Sequence, residues 1–304
     1  MDALPPNLTS TPLWPTQPGQ PDWAEDGADW PNRAYSRFCT AGGVRWHVQI
    51  AGQGPVLLLI HGTGAATHSW RDLLLPLSLH YTVVAPDLPG HGFTQLTARD
   101  KMSLPGMAQS VAALLEKLGL QPEYAAGHSA GAAILIQMCL ENLMAPKTIV
   151  SLNGALLPYG GHGAPFFAPL ARLIARNPVL PILFSWHAAD HSVVEKLLAG
   201  TGSKLDSAGT RFYARLARRS GHTGAALAMM GNWDLALFSK KLAGFSVPLI
   251  LVVGQNDRSI PPAEAERIAT LIPTARIIRL PGLGHLAHEE DPETAVRIIE
   301  EVCS

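Results

Sequence analysis

The short apolar run Tyr124-Ala125-Ala126 leads without a connecting loop into Gly127-His128-Ser129-Ala130-Gly131, and Ala130 to Leu143 is apolar enough to form a buried helix. A strand that turns into a helix across a single G-x-S-x-G motif has few conformations open to it. The serine must adopt strained backbone angles, the flanking glycines must leave room for close packing, and the hydroxyl must stand out at the end of the strand. Amides of the helix N-terminus then point at negative charge that develops there. A lone match would read more plainly as a glycine-rich turn with a capping serine. The strand before it and the helix after it favour the first reading.

The same strand-and-helix alternation extends over most of the chain. Val44 to Ile50, Val56 to Ile60, Thr82 to Ala85, Tyr124 to Gly127, Thr148 to Leu152, Pro248 to Val253 and Arg276 to Leu280 are strand candidates. Val56 to Ile60 is continuously apolar, as a parallel strand covered on both faces should be. Helical patterns fill Trp70 to Leu77, Leu104 to Leu118, Ala130 to Leu143, Ala263 to Leu271 and Glu293 to Val302. Between about 155 and 240 the strand signal stops and the text becomes helical and proline-broken, which predicts a helical cap inserted after one strand. Ligands of open α/β sheets bind beyond the carboxyl ends of the strands, so a cap placed there roofs the site. Residues 1–35 are different again, with seven of the 25 prolines, three of the seven tryptophans and no Lys or Arg before Arg33. Proline fixes φ and removes amide donors, so this arm is expected to be extended and either loose or pinned by Trp23 and Trp30. The division is therefore an arm over 1–35, a core over 36–154 and 241–304, and a cap over 155–240.

A serine hydroxyl is a poor nucleophile unless a base and an orienting acid follow it, in this architecture in the order Ser, Asp or Glu, His. After the strand ending at Val253 comes Gly254-Gln255-Asn256-Asp257, and after the strand ending at Leu280 comes Gly282-Leu283-Gly284-His285. Alone, Asp257 is a turn aspartate and His285 a loop histidine. In order, and on one edge of one sheet with Ser129, they read as a catalytic triad. Acyl chemistry also needs donors for a tetrahedral oxyanion. The turn His61-Gly62-Thr63-Gly64 at the end of its strand can aim the Thr63 amide where the Ala130 amide points.

Other features exclude more than they assign. Lys+Arg 23 against Asp+Glu 24 give a net charge of -1, with no basic block to neutralise phosphates, so nucleic acid is not an expected partner. Charged residues make up only 15%, which leaves apolar surface for a greasy ligand, a partner or a membrane face. Cys39, Cys139 and Cys303 are odd in number and far apart, as reduced thiols would be. The start MDALPPNLTS lacks the basic and apolar stretches of a signal peptide, and no apolar run approaches about 20 residues, so a cytoplasmic protein is expected, with peripheral membrane association left open. His61 and His91 read as loop braces. His187, Asp190 and His191 share a helical face but lack a fourth ligand, and no metal is expected. No G-x-G-x-x-G is followed by a ribose-binding acid, so no cofactor is expected either.

These residues resemble the α/β-hydrolase superfamily across 36–303. The text His61-Gly62-Thr63-Gly64-Ala65, Thr67-His68-Ser69-Trp70, Ala85 to Thr94 and Gly127 to Ile134 carries the likeness. Narrower motifs, Asp29 to Arg33, Trp46 to Gln49 and Ser103 to Ala108, resemble the accessory α/β-hydrolases associated with magnesium chelatase in bacteriochlorophyll biosynthesis. The superfamily implies an eight-stranded, mostly parallel sheet with helices on both faces and a helical cap. It also implies that Ser129, Asp257 and His285 act as nucleophile, acid and base. Haloalkane dehalogenases and epoxide hydrolases place aspartate at the nucleophile, and Ser129 argues against both. Ala132 replaces a common second glycine and Thr94 a common serine. The narrower resemblance implies a place in magnesium insertion into protoporphyrin IX in a phototrophic bacterium, with chelatase subunits as partners.

Three readings stay open: a serine hydrolase acting on an ester or related acyl bond, a non-catalytic tetrapyrrole-binding or chelatase-docking module, and a general hydrolase of small metabolites that cleaves esters or C–C bonds. Phe166, Phe167, Leu170, Leu173, Ile174, Leu180, Ile182, Leu183, Phe184 and Trp186 enrich the cap in apolar groups. If they line a pocket, with Phe184 and Trp186 as the substrate-binding pair, an apolar substrate such as a tetrapyrrole ester would suit it; packing within the cap is the plainer use of such a stripe.

Overall fold

A computed structural model describes residues 8–158, 180–188 and 190–303. Eight strands form one sheet in the order β1-β2-β4-β3-β5-β6-β7-β8, with β1 Ser36–Ala41, β2 Val44–Ala51, β3 Val56–Ile60, β4 Thr82–Pro86, β5 Tyr124–His128, β6 Thr148–Leu152, β7 Leu249–Gly254 and β8 Ala275–Leu280. The β1–β2 and β2–β4 pairs are antiparallel and all the others parallel. Pairs such as Ile60 with Gly127, Leu152 with Val252 and Gly254 with Leu280 bring the strand ends to one edge. Every predicted strand is present. β1 is an addition: its Ser-Arg-Phe-Cys-Thr-Ala text lacks the continuous apolar run of a strand buried on both faces.

Side chains of the central strands alternate between two cores. Ala125 of β5 faces one core with Met107, Val111 and Ile134, while Tyr124 and Ala126 face the other with Leu74, Leu77, Ile298 and Ile299. The helices that supply them flank the sheet: α1 Leu74–Leu77, α2 Leu104–Leu118, α3 Ala130–Leu140, α9 Glu264–Leu271, α10 Ala287–Glu290 and α11 Pro292–Val302. α2 begins where Ser103 Oγ accepts from the Gly106 amide and ends at Gly119 in the left-handed region, so cap and stop agree with its apolar period. The helix expected over 70–77 is instead a 3-10 turn at Thr67–Trp70 followed by the single turn α1, which contains Pro76. Proline inside a short helix removes a hydrogen bond that the turn needs in order to propagate.

Between β6 and β7 the described elements are helices: α4 Leu180–His187, α5 His191–Gly200, α6 Ser207–Ala217, α7 Ser220–Asn232 and α8 Leu235–Lys241. The arm lies on them and on the sheet. Trp23 and Trp30 are buried and meet Phe38, Phe93 and Phe212 edge to face. Trp30 Nε1 donates to Thr67 Oγ1 at 2.9 Å, and Arg215 holds Asp29 at 2.5 and 3.0 Å. The arm is not extended throughout. Asp22 Oδ1 accepts from the Ala24 and Glu25 amides, and this side-chain cap coils the chain into turns before the 3-10 helix Arg33–Tyr35. No helix among the described residues is long and apolar enough to cross a membrane.

Candidate active site

Ser129 sits between β5 and α3 with φ 51 and ψ -116, a conformation that L residues rarely adopt. It persists because the surroundings leave no alternative. A Cβ on Gly127 would stand 2.5 Å from the Ala132 amide nitrogen, and one on Gly131 would stand 2.1 Å from the Ile60 carbonyl oxygen. Ser129 N donates to Leu152 O at 3.0 Å, which ties the turn to β6. Ala132, the departure from a second glycine, is fully buried.

Asp257 and His285 meet across the loops that follow β7 and β8, with His285 Nδ1 donating to Asp257 Oδ2 at 2.8 Å. The carboxylate is also held by Asn153 Nδ2 at 2.8 Å and by the Ser259 and Ile260 amides at 2.7 and 2.9 Å. Nδ1 is thereby committed as the donor, leaving Nε2 free to accept a proton. Ser129 and His285 share no hydrogen bond. The link nearest the turn is His128, whose Nε2 donates to the His285 carbonyl at 3.0 Å and whose ring packs 4.8 Å from that of His285. Ser129, Asp257 and His285 are 7, 6 and 8% exposed, so each retains a sliver of accessible surface.

The turn after β3 abuts this serine, since a Cβ on Gly62 would come within 3.1 Å of Ser129 Cβ. Its carbonyls are tied back into the fold. Gly62 O accepts from His61 Nδ1 at 2.8 Å and from the Ala65 amide at 3.2 Å. In a trans peptide N–H and C=O point in opposite directions, so the Thr63 amide faces away from those bonds. Ser129 O likewise accepts from the Ala132 and Ala155 amides, which turns the Ala130 amide outward. Neither the Thr63 nor the Ala130 amide finds an acceptor among the described residues.

The alpha/beta hydrolase family model matches residues 57–298. The chain belongs to the alpha/beta hydrolase family. It is 36% identical over 264 residues to the magnesium-chelatase 30 kDa subunit of Rhodobacter capsulatus, covering 86% of this chain and 92% of that one. It is 26% identical over 278 residues to a pimeloyl-[acyl-carrier protein] methyl ester esterase of Aeromonas hydrophila, covering 83% of this chain and 97% of that protein. An alpha/beta hydrolase fold protein from Burkholderia ambifaria superposes with a TM-score of 0.73 at 22% identity, over 87% of this chain and 96% of that chain.

The remaining site expectations divide. Trp186 stands 73% exposed on α4, beside exposed Ile182 and Leu183, so the described part of α4 presents these groups to solvent rather than to an enclosed pocket. The side chain of Phe184, and all of Phe166, Phe167, Leu170, Leu173 and Ile174, lie outside the described residues. Asp190 Oδ1 accepts from the Ser192 amide at 2.9 Å and caps α5, and no metal-holding group of three or more His, Cys, Asp or Glu occurs among the described residues.

Several participants escape the sequence reading. Asn153, at φ 48 after β6, gives Asp257 a hydrogen bond, and only its place at a strand end in Leu152-Asn153-Gly154 could have marked it. A second array was also missed: Ser36 Oγ meets His47 Nε2 at 2.9 Å, and His47 Nδ1 donates to Asp87 Oδ2 at 2.7 Å. Thr94, the other departure from the family pattern, serves this second array. Its hydroxyl accepts from the His47 amide at 2.9 Å.

Proposed function

We propose that this chain is a serine hydrolase that acts on an ester or related acyl bond and serves magnesium chelatase in bacteriochlorophyll synthesis. Ser129 attacks the carbonyl carbon. His285 Nε2 takes the hydroxyl proton and returns it to the leaving group, while Asp257 fixes the tautomer and stabilises the imidazolium. The outward amides of Thr63 and Ala130 hold the oxyanion. The observation that carries this reading is the 2.8 Å Asp257–His285 bond on the same sheet edge as a serine at φ 51. The place in pigment synthesis rests on the likeness to the Rhodobacter capsulatus subunit, and the described helices between β6 and β7, α4 to α8, serve as the cap over the site.

One observation favours a second reading. Ser129 makes no bond to His285, which suits a chelatase-docking or tetrapyrrole-binding scaffold that keeps the hydrolase fold without using it. Substituting Ser129→Ala in a phototrophic strain lacking the native protein separates the two. The hydrolase reading expects fluorophosphonate labelling and pigment accumulation to be lost together. Full pigment with labelling abolished assigns the physiological role to the scaffold.

A further inference from the structure

The turn that carries the Thr63 amide is held from two sides. From the core, His61 Nδ1 and the Ala65 amide fix Gly62 O. From the insertion, α7 presents His222 and Met229, seven residues apart and so on one face. His222 Nε2 donates to Gly64 O at 3.1 Å, and Thr63 Oγ1 donates to Met229 Sδ at 3.7 Å. The other nitrogen of His222 is occupied as well, since Nδ1 accepts from the Gly92 amide at 3.0 Å. That bond leaves the proton on Nε2. Burial pulls the ring down to about 3, so it stays neutral and the tie survives across the working pH range. The start of α7 is anchored in turn, with Gly221 N donating to the arm's Gly19 O at 2.8 Å.

We propose that His222 is a positioning residue for the oxyanion hole, so that α7 forms one wall of the site. The proposal rests on the hydrolase reading above. Two glycines flank Thr63, and Gly64 occupies the left-handed region at φ +75. A backbone this free does not hold an amide in place by itself. Oxyanion stabilisation depends on donors that are already oriented when charge develops, so an external bond to Gly64 O contributes to the rate. A residue needed only to fill space would require the volume of the imidazole, not a donor at Nε2.

The test uses the full-length protein with p-nitrophenyl butyrate and a fluorophosphonate probe. His222→Phe should lower kcat about 10- to 100-fold, below the loss from deleting an oxyanion donor outright, with KM within about twofold. Labelling of Ser129 should slow by the same factor. His222→Gln keeps a donor near the Nε2 position and should recover most of the rate. An unchanged kcat in His222→Phe overturns the proposal. If that variant does not fold, His222→Gln against His222→Asn decides. Asn reaches only the Gly92 side, so it should be about tenfold slower than Gln, and equal rates overturn the proposal. Wild-type protein that neither turns over the ester nor labels removes the hydrolase reading itself. Wild-type labelling at Ser129 with unaffected variants removes only the role of His222.

Discussion

The chain holds two Ser–His–Asp arrays, each ending in an aspartate just beyond a strand. In one, Ser36, His47 and Asp87 are joined by unbroken hydrogen bonds and none has exposed surface. Trp23, Phe38 and Phe93 enclose the imidazole at ring distances of 5.1 to 5.4 Å. In the other, Ser129, Asp257 and His285 lack the serine–histidine bond but keep some exposure, and two unspent amides lie beside the serine. The contrast separates two uses of the same residue types: a complete, buried hydrogen-bond chain crosslinks the core, whereas the other array keeps accessible polar groups. In the closed array Asp87 spends its oxygens on His47 and on the Thr67 and Phe93 amides, crosslinking the chain. On the hydrolase reading proposed above, the unused acceptor on His285 and the unused amide donors of the open array are the groups that take the proton and hold the oxyanion.

The largest expected effect breaks the contrast most directly. Asp257→Asn should lower kcat about 10⁴-fold, because the imidazole loses the partner that fixes its tautomer. Ser36→Ala should leave kcat unchanged and lower stability. An ester-turnover assay beside urea denaturation reads both. Activity lost through Ser36 and retained without Asp257 would exchange the roles of the arrays.

Stability gives the converse. Asp87→Asn leaves the fully buried His47 without a carboxylate, and removing one partner of a buried pair costs about 3–5 kcal/mol. The acid is held well below the usual carboxylate range. Burial alone would raise it, and His47 together with the Phe93 amide more than offsets that. Chemical denaturation should show the loss, and a change under about 1 kcal/mol would mean that the closed array does not crosslink the fold.

How much of this the sequence discloses follows from where the partners lie. The strand-end placement of Ser129, Asp257 and His285 was legible because each lies in a local pattern of its own. The central strands were legible because burial on both faces leaves continuous apolar text. Ser36 opens β1, whose edge position and mixed text hid it, and His47 gains its role only when β1 pairs with β2. His222 and Asn153 lie in unremarkable local text, so only tertiary placement shows what they touch. The coiling of the arm at Asp22 was missed because a single side-chain cap overrode a composition that favours extension.

Acid sharpens the contrast at the level of single histidines. Burial pulls His61 down to about 4, and His91, His222 and His288 to about 3, from an ordinary 6.5. These rings are neutral in the fold, while the unfolded chain takes up protons below about 6.5, so stability is fully present above that pH and declines as pH falls toward 4. Each such ring steepens the decline by about 1.4 kcal/mol per pH unit. His91 hydrogen-bonds Pro89 O through Nδ1 and leaves Nε2 unpartnered. His91→Phe should therefore flatten the stability profile between pH 6 and 5 by that single increment, as read from urea midpoints at each pH. An unaltered slope would show that His91 takes up its proton without unfolding.

The smallest effect concerns what seals the closed array. The arm reaches the insertion through Arg215 with Asp29 and through Arg219 with Asp26 and Glu25, and it reaches the core through the Trp23 and Trp30 rings. The ion pairs look the more specific of the two. Yet Asp29 and Glu25 are mostly exposed, Arg219 itself is 33% exposed even where it meets the buried Asp26, and pairs this open to solvent contribute about 0–1 kcal/mol because water and salt screen them. The buried rings carry more, since truncating a large buried aromatic costs about 3–5 kcal/mol. Arg219→Ala should thus lower the unfolding free energy by about 1 kcal/mol or less, and less still at 1 M salt, while Ser36, His47 and Asp87 stay sealed. Hydrogen exchange of the Thr67 and Phe93 amides, which donate to Asp87, reports the seal directly. Their exchange should be unchanged in Arg219→Ala and accelerated in Trp23→Ala. Acceleration in the arginine variant would show that charge, not ring burial, holds the arm down.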